Sequence, residues 1–127
     1  MNIAARLLTG GVFAFMGLFK ILNWSATAGW MAMKGFPPGM IPILLIGAIV
    51  IEVGGGLAIV AGYRVKLITI ALALFLIPTT FIFHNFWALP PEMQASEQLS
   101  FLQNIAIMGG LLAMGVSKAG GNTQTSR

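Results

Sequence analysis

Cysteine is absent from this chain of 127 residues, and charged residues make up only 8% of it, against about a quarter of a soluble domain. Without cysteine, the chain alone can form no disulfide, thiolate metal site or iron–sulfur cluster. His84 is the single histidine, so the chain cannot hold a haem between two of its own imidazoles. We expect no covalently bound cofactor; an electron carrier must be diffusible or belong to a partner. The sequence leaves open whether the chain is an enzyme, but it lacks the ligand set of a complete redox enzyme.

In place of cysteine and charged residues the chain has long apolar segments, and 57% of its residues are hydrophobic. Four segments have roughly the 20 residues that a helix needs to cross a bilayer. They lie at about residues 3–22, 41–62, 65–83 and 99–116. We predict one all-α domain over residues 1–118, an antiparallel bundle of four transmembrane helices in contact with the lipid bilayer. The polar residues 119–127 are expected to form a disordered tail.

The distribution of charge predicts the orientation of this bundle. With four spans, one end holds Arg6, Arg64, Lys66, Lys118 and Arg127. The other end holds Lys20, Lys34, Glu92 and Glu97. The positive-inside rule then places both termini in the cytoplasm, with the chain in a bacterial-type inner membrane. The net charge of +4 comes from residues at the ends of apolar runs, so it does not indicate a nucleic-acid partner.

The connections between the spans differ in kind. Residues 23–39 include Trp24 and Trp30, and tryptophan suits the headgroup level of a bilayer. We predict a short interfacial helix there, followed by a turn at residues 37–39. The connection between the second and third spans has only a few residues, so these two spans form an antiparallel hairpin.

Small residues at four-residue spacing predict where the helices pack, because lipid supplies no hydrophobic drive between them. The residues of this kind are Gly10 and Ala14 in the first span, Gly54, Ala58 and Gly62 in the second, and Ala106, Gly109, Gly110 and Ala113 in the fourth. We interpret these glycines as sites of close helix contact and not as a phosphate-binding loop.

Glu52 lies in the middle of the second apolar run and is the only acidic residue before residue 92. A carboxylate at that depth costs about 2.5 kcal/mol or more unless it is paired or protonated. It can be a functional proton site, or it can be a protonated side chain that holds neighbouring helices together. Both readings stay open at this point.

Other polar residues are concentrated in the same half of the bundle as Glu52. They are Lys20, Asn23, Trp24, His84, Asn85, Trp87, Gln103 and Asn104. Their convergence predicts the lining of a pocket, although a lysine at a helix end can also extend to the headgroups, and amides can serve only as interhelical contacts. From the helical rise, Glu52 lies about 10 Å deeper than Lys20. We therefore expect a water or an amide to bridge them, with no direct contact.

The sequence resembles the DoxX family of small four-helix membrane proteins from Arg6 to about Gly115. The resemblance depends on the blocks at residues 5–20, 51–58 and 80–87, and most specifically on Glu52-Val53-Gly54-Gly55 before the turn Gly62-Tyr63-Arg64. It implies that Lys20, Glu52 and His84 occupy the polar positions of the family pattern. Members of the family have been linked to thiosulfate:quinone oxidoreduction and to membrane-bound redox assemblies.

Two functions compete on this sequence. In the first, the chain is a quinone-interacting membrane subunit in which Glu52 and His84 exchange protons. The residues predicted to bind the quinone are then Lys20, Asn23, Trp24, Asn85, Trp87, Gln103 and Asn104. In the second, the chain is a non-catalytic accessory subunit that docks against other membrane proteins or against itself. A small transporter ranks last, because four short helices leave little room for a pore and no inverted repeat is visible.

Overall fold

The computed structural model describes the backbone of residues 2–125 and the side chains of residues 2–116. Within that range the chain is all-helical and has no strand, which confirms the predicted fold class. The helices are α1 (Ile3–Leu22), α2 (Trp24–Met33), α3 (Ile41–Ala61), α4 (Val65–Phe83), a single 3-10 turn (Phe86–Ala88) and α5 (Pro91–Thr125). The prediction of a disordered tail concerns residues whose side chains lie outside the described part, and it stays a prediction.

All of these α-helices except α2 are long and apolar enough to span a membrane. The short α2 lies between the first two spans, where the sequence predicted an interfacial helix. α5 begins at Pro91, eight residues before the predicted start of the fourth span. A proline suits the first position of a helix because it needs no hydrogen-bond acceptor there, and Glu92 follows in the first turn.

The tight turn between α3 and α4 depends on a left-handed backbone. Gly62 ends α3 with φ +79°, and its N–H and that of Tyr63 donate to carbonyls in the last turn of the helix. Arg64 follows with φ 45°. We call the end of the bundle that contains residues 62–64 the turn end, and the opposite end the α2 end.

α1 packs mainly against α3, and α4 packs mainly against α5. The contact between α1 and α3 is made by glycines: a Cβ atom on Gly56 would lie 2.5 Å from Gly10 O and from Ala14 N. This confirms the packing role predicted for Gly10 and Ala14. The prediction for Gly54 was wrong, because a Cβ atom there would meet nothing within 4 Å. Gly56 makes the close contact that was predicted for Gly54, because it lies on the same face of α3 as the buried Glu52, one turn further along the helix.

Buried side chains join the two helix pairs at both ends of the bundle. At the turn end a core of buried side chains joins all four spans: Phe13, Ile59, Val65, Leu72, Leu76, Leu111 and Met114. At the α2 end a smaller cluster of Met31, Ile41 and Leu45 packs α2 against the start of α3. The space between these two clusters is the site described next.

Candidate functional site

A cavity of about 460 Å³ lies between the two helix pairs and is lined by residues from all five α-helices. Its volume is within the range of ligand-binding pockets, about 300–1,000 Å³. Most of the lining is apolar, and its aromatic members are Phe19, Trp30, Phe36, Phe75 and Phe83. The polar members are Lys20, Thr27, Glu52, Thr79, His84 and Asn104. The shape and composition are those of a site for a mainly apolar molecule with a polar head.

Lys20 and Glu52 form a direct ion pair in this cavity. Lys20 Nζ lies 2.9 Å from Glu52 Oε1 and 2.8 Å from Oε2, and donates a hydrogen bond to each. Glu52 is 1% exposed, and the side chain of Lys20 is 23% exposed. The sequence-based expectation that a water or an amide must bridge the two groups was therefore wrong, and Lys20 does not extend away to the headgroups.

The register of α1 against α3 explains why the depth estimate failed. Gly10 faces Val60, and Gly17 faces Val53. Continued at this register, the last residue of α1 lies level with Ala48, seven residues after α3 begins. The estimate assumed that both helices end at the same level, but α3 extends about 10 Å further towards the α2 end. Its first two turns pack against α2 instead of α1.

The ion pair depends on the absence of a side chain at Gly17. A Cβ atom at this position would lie 3.2 Å from Glu52 Cβ and 2.5 Å from Val53 Cγ2. The glycine therefore lets α1 approach α3 closely enough for Lys20, one turn further along α1, to reach the carboxylate. Two of the three N–H donors of Lys20 are used by Glu52, which leaves one for another acceptor.

His84 also lines the cavity, and its Nδ1 lies 2.9 Å from Glu97 Oε2 on α5. Beside it, Asn85 accepts a hydrogen bond from Lys34, which follows α2. These two contacts join α4 to α5 and to the end of α2 around the α2 end of the cavity. Glu97 was not among the predicted site residues, although the pairing of the single histidine with one of only three acids was a signal available in the sequence.

Asn104 is the one predicted amide that lines the cavity. It is 8% exposed, and its Nδ2 donates a hydrogen bond to Thr80 Oγ1 at 3.2 Å. Gln103, its neighbour on α5, is exposed on the outside of the helix. Consecutive residues on a helix point about 100° apart, so only one of the two could face the cavity, and the sequence did not decide which.

Four other predicted residues lie outside the cavity lining. Asn23 ends α1, and its Nδ2 donates to Phe19 O. Trp24 packs against the Met31–Ile41–Leu45 cluster. Trp87 belongs to an aromatic cluster that also contains Phe81, Phe86 and Phe101. Asn85, as described above, is bonded to Lys34. These four side chains therefore contribute to a helix end and to packing and hydrogen bonds outside the cavity lining.

The residues that line the cavity but were not predicted as site residues include Thr27, Trp30, Phe36 and Thr79. The first three of these come from α2 and the segment after it, whose position depends on how α2 packs against α3. Phe36, for example, stacks on Phe83 with ring centroids 5.6 Å apart. Thr79 follows Pro78 within an apolar span, so nothing in the sequence pattern distinguished it as a site residue. Among residues 2–116, no three His, Asp or Glu side chains are grouped so that they could hold a metal ion.

Comparison with known proteins places the chain among membrane proteins. The model of the DoxX family matches residues 1–85, from α1 through α4. The chain is similar to the inner membrane protein YqjF of Escherichia coli K12, with 31% identity over 118 residues, which cover 93% of this chain and 84% of that protein. It is also similar to the inner membrane protein YphA of the same strain, with 24% identity over 116 residues, 91% of this chain and 81% of that protein. No solved structure matches the chain.

Proposed function

The chain belongs to the DoxX family, and we propose that it is a quinone-binding subunit of a redox system in the bacterial inner membrane. One observation carries the proposal: a mainly apolar cavity inside the membrane-spanning bundle contains the ion pair of a partly exposed lysine with a buried carboxylate. A quinone needs an apolar, aromatic slot for its ring and tail and polar groups for its two carbonyl oxygens. This cavity supplies both.

Access from the bilayer supports a lipid-soluble ligand. Phe19 is 52% exposed and Ile82 is 40% exposed, and both line the cavity. The cavity lies among helices that are apolar enough to span a membrane, so we expect a molecule dissolved in the hydrocarbon to enter it between the helices.

The polar residues have separate roles in this proposal. Lys20 donates its free N–H to one oxygen of the ring. Glu52 and His84, which both line the cavity, are the groups that can exchange protons with the bound ligand. The electrons must go to or come from another subunit. The specific link to a system of the thiosulfate:quinone oxidoreductase type has its only support in the family resemblance.

We also propose that both termini are cytoplasmic. Arg6, Arg64 and Lys66 lie at the turn end, and cytoplasmic ends of membrane proteins carry an excess of Lys and Arg. The relatives are inner membrane proteins of a bacterium. In this orientation the cavity occupies the half of the bundle nearer to the periplasm.

The experiment is to extract the protein with its own lipids and to record the bound molecules by native mass spectrometry. We expect a quinone at one copy per chain in the wild type, lost in Lys20→Met and retained in Lys66→Met. Lys66 is an exposed lysine at the turn end, outside the cavity, so it controls for the loss of a positive charge. A wild-type chain without bound quinone, from membranes that contain it, would contradict the proposal.

A second candidate function, the accessory subunit, is favoured by a different surface. Ala106, Gly109, Gly110 and Ala113 lie exposed on α5, and a Cβ atom on either glycine would meet nothing within 4 Å. The packing predicted for these residues is not made within the described part of the chain. If another helix packs there, Gly110→Leu abolishes co-purification of a partner protein while the cavity still binds quinone.

A further inference from the structure

The hydrogen-bonding groups that line the cavity are mostly acceptors, and this balance distinguishes the two redox forms of a quinone. The oxidised ring carries two carbonyl oxygens, which only accept hydrogen bonds. The reduced ring carries two hydroxyl groups, each of which donates one hydrogen bond and also accepts. A lining with more acceptors than donors therefore favours the reduced form, because that form brings its own hydrogen-bond donors.

Two of the threonines that line the cavity have already used their hydroxyl hydrogens. Thr27 Oγ1 donates its hydrogen to Asn23 O at 2.9 Å, and Thr79 Oγ1 donates to Phe75 O at 2.8 Å. Each hydroxyl has a single hydrogen, so the backbone carbonyl one turn earlier takes it. The remaining lone pairs of both oxygens are left for the ligand.

The Glu52 carboxylate adds further acceptors. It accepts one hydrogen bond from Lys20 on each oxygen, and each oxygen keeps a second lone pair.

Fewer groups along the lining can donate. Among the lining residues, Lys20 keeps a third N–H and Trp30 has its indole N–H, while the Asn104 amide can donate and accept. An oxidised quinone could pair with these donors but would leave the hydroxyl oxygens of Thr27 and Thr79 without a hydrogen-bond donor. Displacing water from an acceptor without replacing its hydrogen bond weakens binding.

From this balance we infer that the cavity binds the hydroquinone form in preference to the oxidised quinone, an inference that rests on the proposed quinone function. One additional net hydrogen bond corresponds to about a tenfold gain in affinity. We therefore expect hydroquinone to bind about tenfold more tightly. For a two-electron couple, that preference raises the reduction potential of the bound ligand by about 30 mV.

The test uses decyl-benzoquinone and its hydroquinone as probes, titrated without oxygen into the chain in lipid nanodiscs. We expect a lower dissociation constant for the hydroquinone in the wild type. Thr27→Val and Thr79→Val should weaken hydroquinone binding several-fold and leave quinone binding unchanged. The matched control is Thr69→Val, because Thr69 also donates to a backbone carbonyl, that of Lys66, but lies outside the cavity.

Equal affinities for the two forms, or tighter binding of the oxidised form, would overturn the inference and leave the proposed quinone site intact. The same holds if the two cavity variants weaken both forms equally. If neither form binds to the wild type, the proposed function itself fails and the inference fails with it.

Discussion

Replacing Lys20 with methionine should strongly destabilise the bundle, because it leaves the Glu52 carboxylate buried without a partner. Breaking a buried ion pair by removing one member costs about 3–5 kcal/mol. Glu52 is 1% exposed, so the carboxylate has little contact with water. It can instead take up a proton, which limits the loss, and we expect about 3–4 kcal/mol.

A double-mutant cycle separates this cost from the loss of packing. In Glu52→Met the unpaired Lys20, which is 23% exposed, can extend to the headgroups, so we expect a loss of only about 1–2 kcal/mol. Replacing both members by apolar residues of similar volume is often neutral. The double variant should therefore lie within about 1 kcal/mol of the wild type, with a coupling energy of about 4 kcal/mol.

The free energy of unfolding can be measured by titration with SDS in mixed micelles, with Lys66→Met as the control for loss of a lysine. The reasoning would be refuted by a Lys20→Met variant as stable as the control, or by additive effects in the cycle. Either result would mean that the ion pair contributes little to the fold.

Three further predictions concern other parts of the molecule. Gly56→Ala should lower the free energy of unfolding by about 2 kcal/mol or more in the same SDS titration, because the new methyl group overlaps backbone atoms of α1. The control Gly11→Ala, where a Cβ atom meets nothing within 4 Å, should be neutral or slightly stabilising. Since the chain has no cysteine, a single new one reports topology: in intact cells a membrane-impermeant maleimide should label Gly39→Cys and not Tyr63→Cys, and the opposite pattern would reverse the orientation. Glu97→Gln should loosen the contact between α4 and α5 and weaken quinone binding several-fold with little loss of stability, since this partly exposed pair is worth at most about 1 kcal/mol; unchanged quinone binding would remove the pair from the site.

The number of membrane-spanning helices and the limits of the first three could be predicted from the sequence because they depend on local properties. The run that became α3 is long and apolar, begins beside Pro42 and ends at a glycine with positive φ, and each of these signals is visible in the chain itself. The predicted cluster of polar residues also included the correct ion-pair partners. Both predictions required only the position of each residue along its own helix.

The remaining features depend on how helices sit against each other, which the sequence does not specify directly. The direct contact between Lys20 and Glu52 follows from an offset of about 10 Å between helix ends, and that offset exists because α2 covers the start of α3. The same packing brings Trp30 and Phe36 to the cavity. The choice of Gly56 over Gly54 depends on which face of α3 carries the buried Glu52.

Photolabelling with an azido-quinone tests the central claim most directly, because it locates the bound ligand without relying on a functional assay. The chain is irradiated in nanodiscs with and without excess unlabelled quinone, and the modified residues are mapped by peptide mass spectrometry. The account predicts saturable labelling near Lys20, Trp30 and Phe83, which line the cavity, and loss of the label in Lys20→Met. Labelling spread over the lipid-facing residues and unaffected by competition would contradict it.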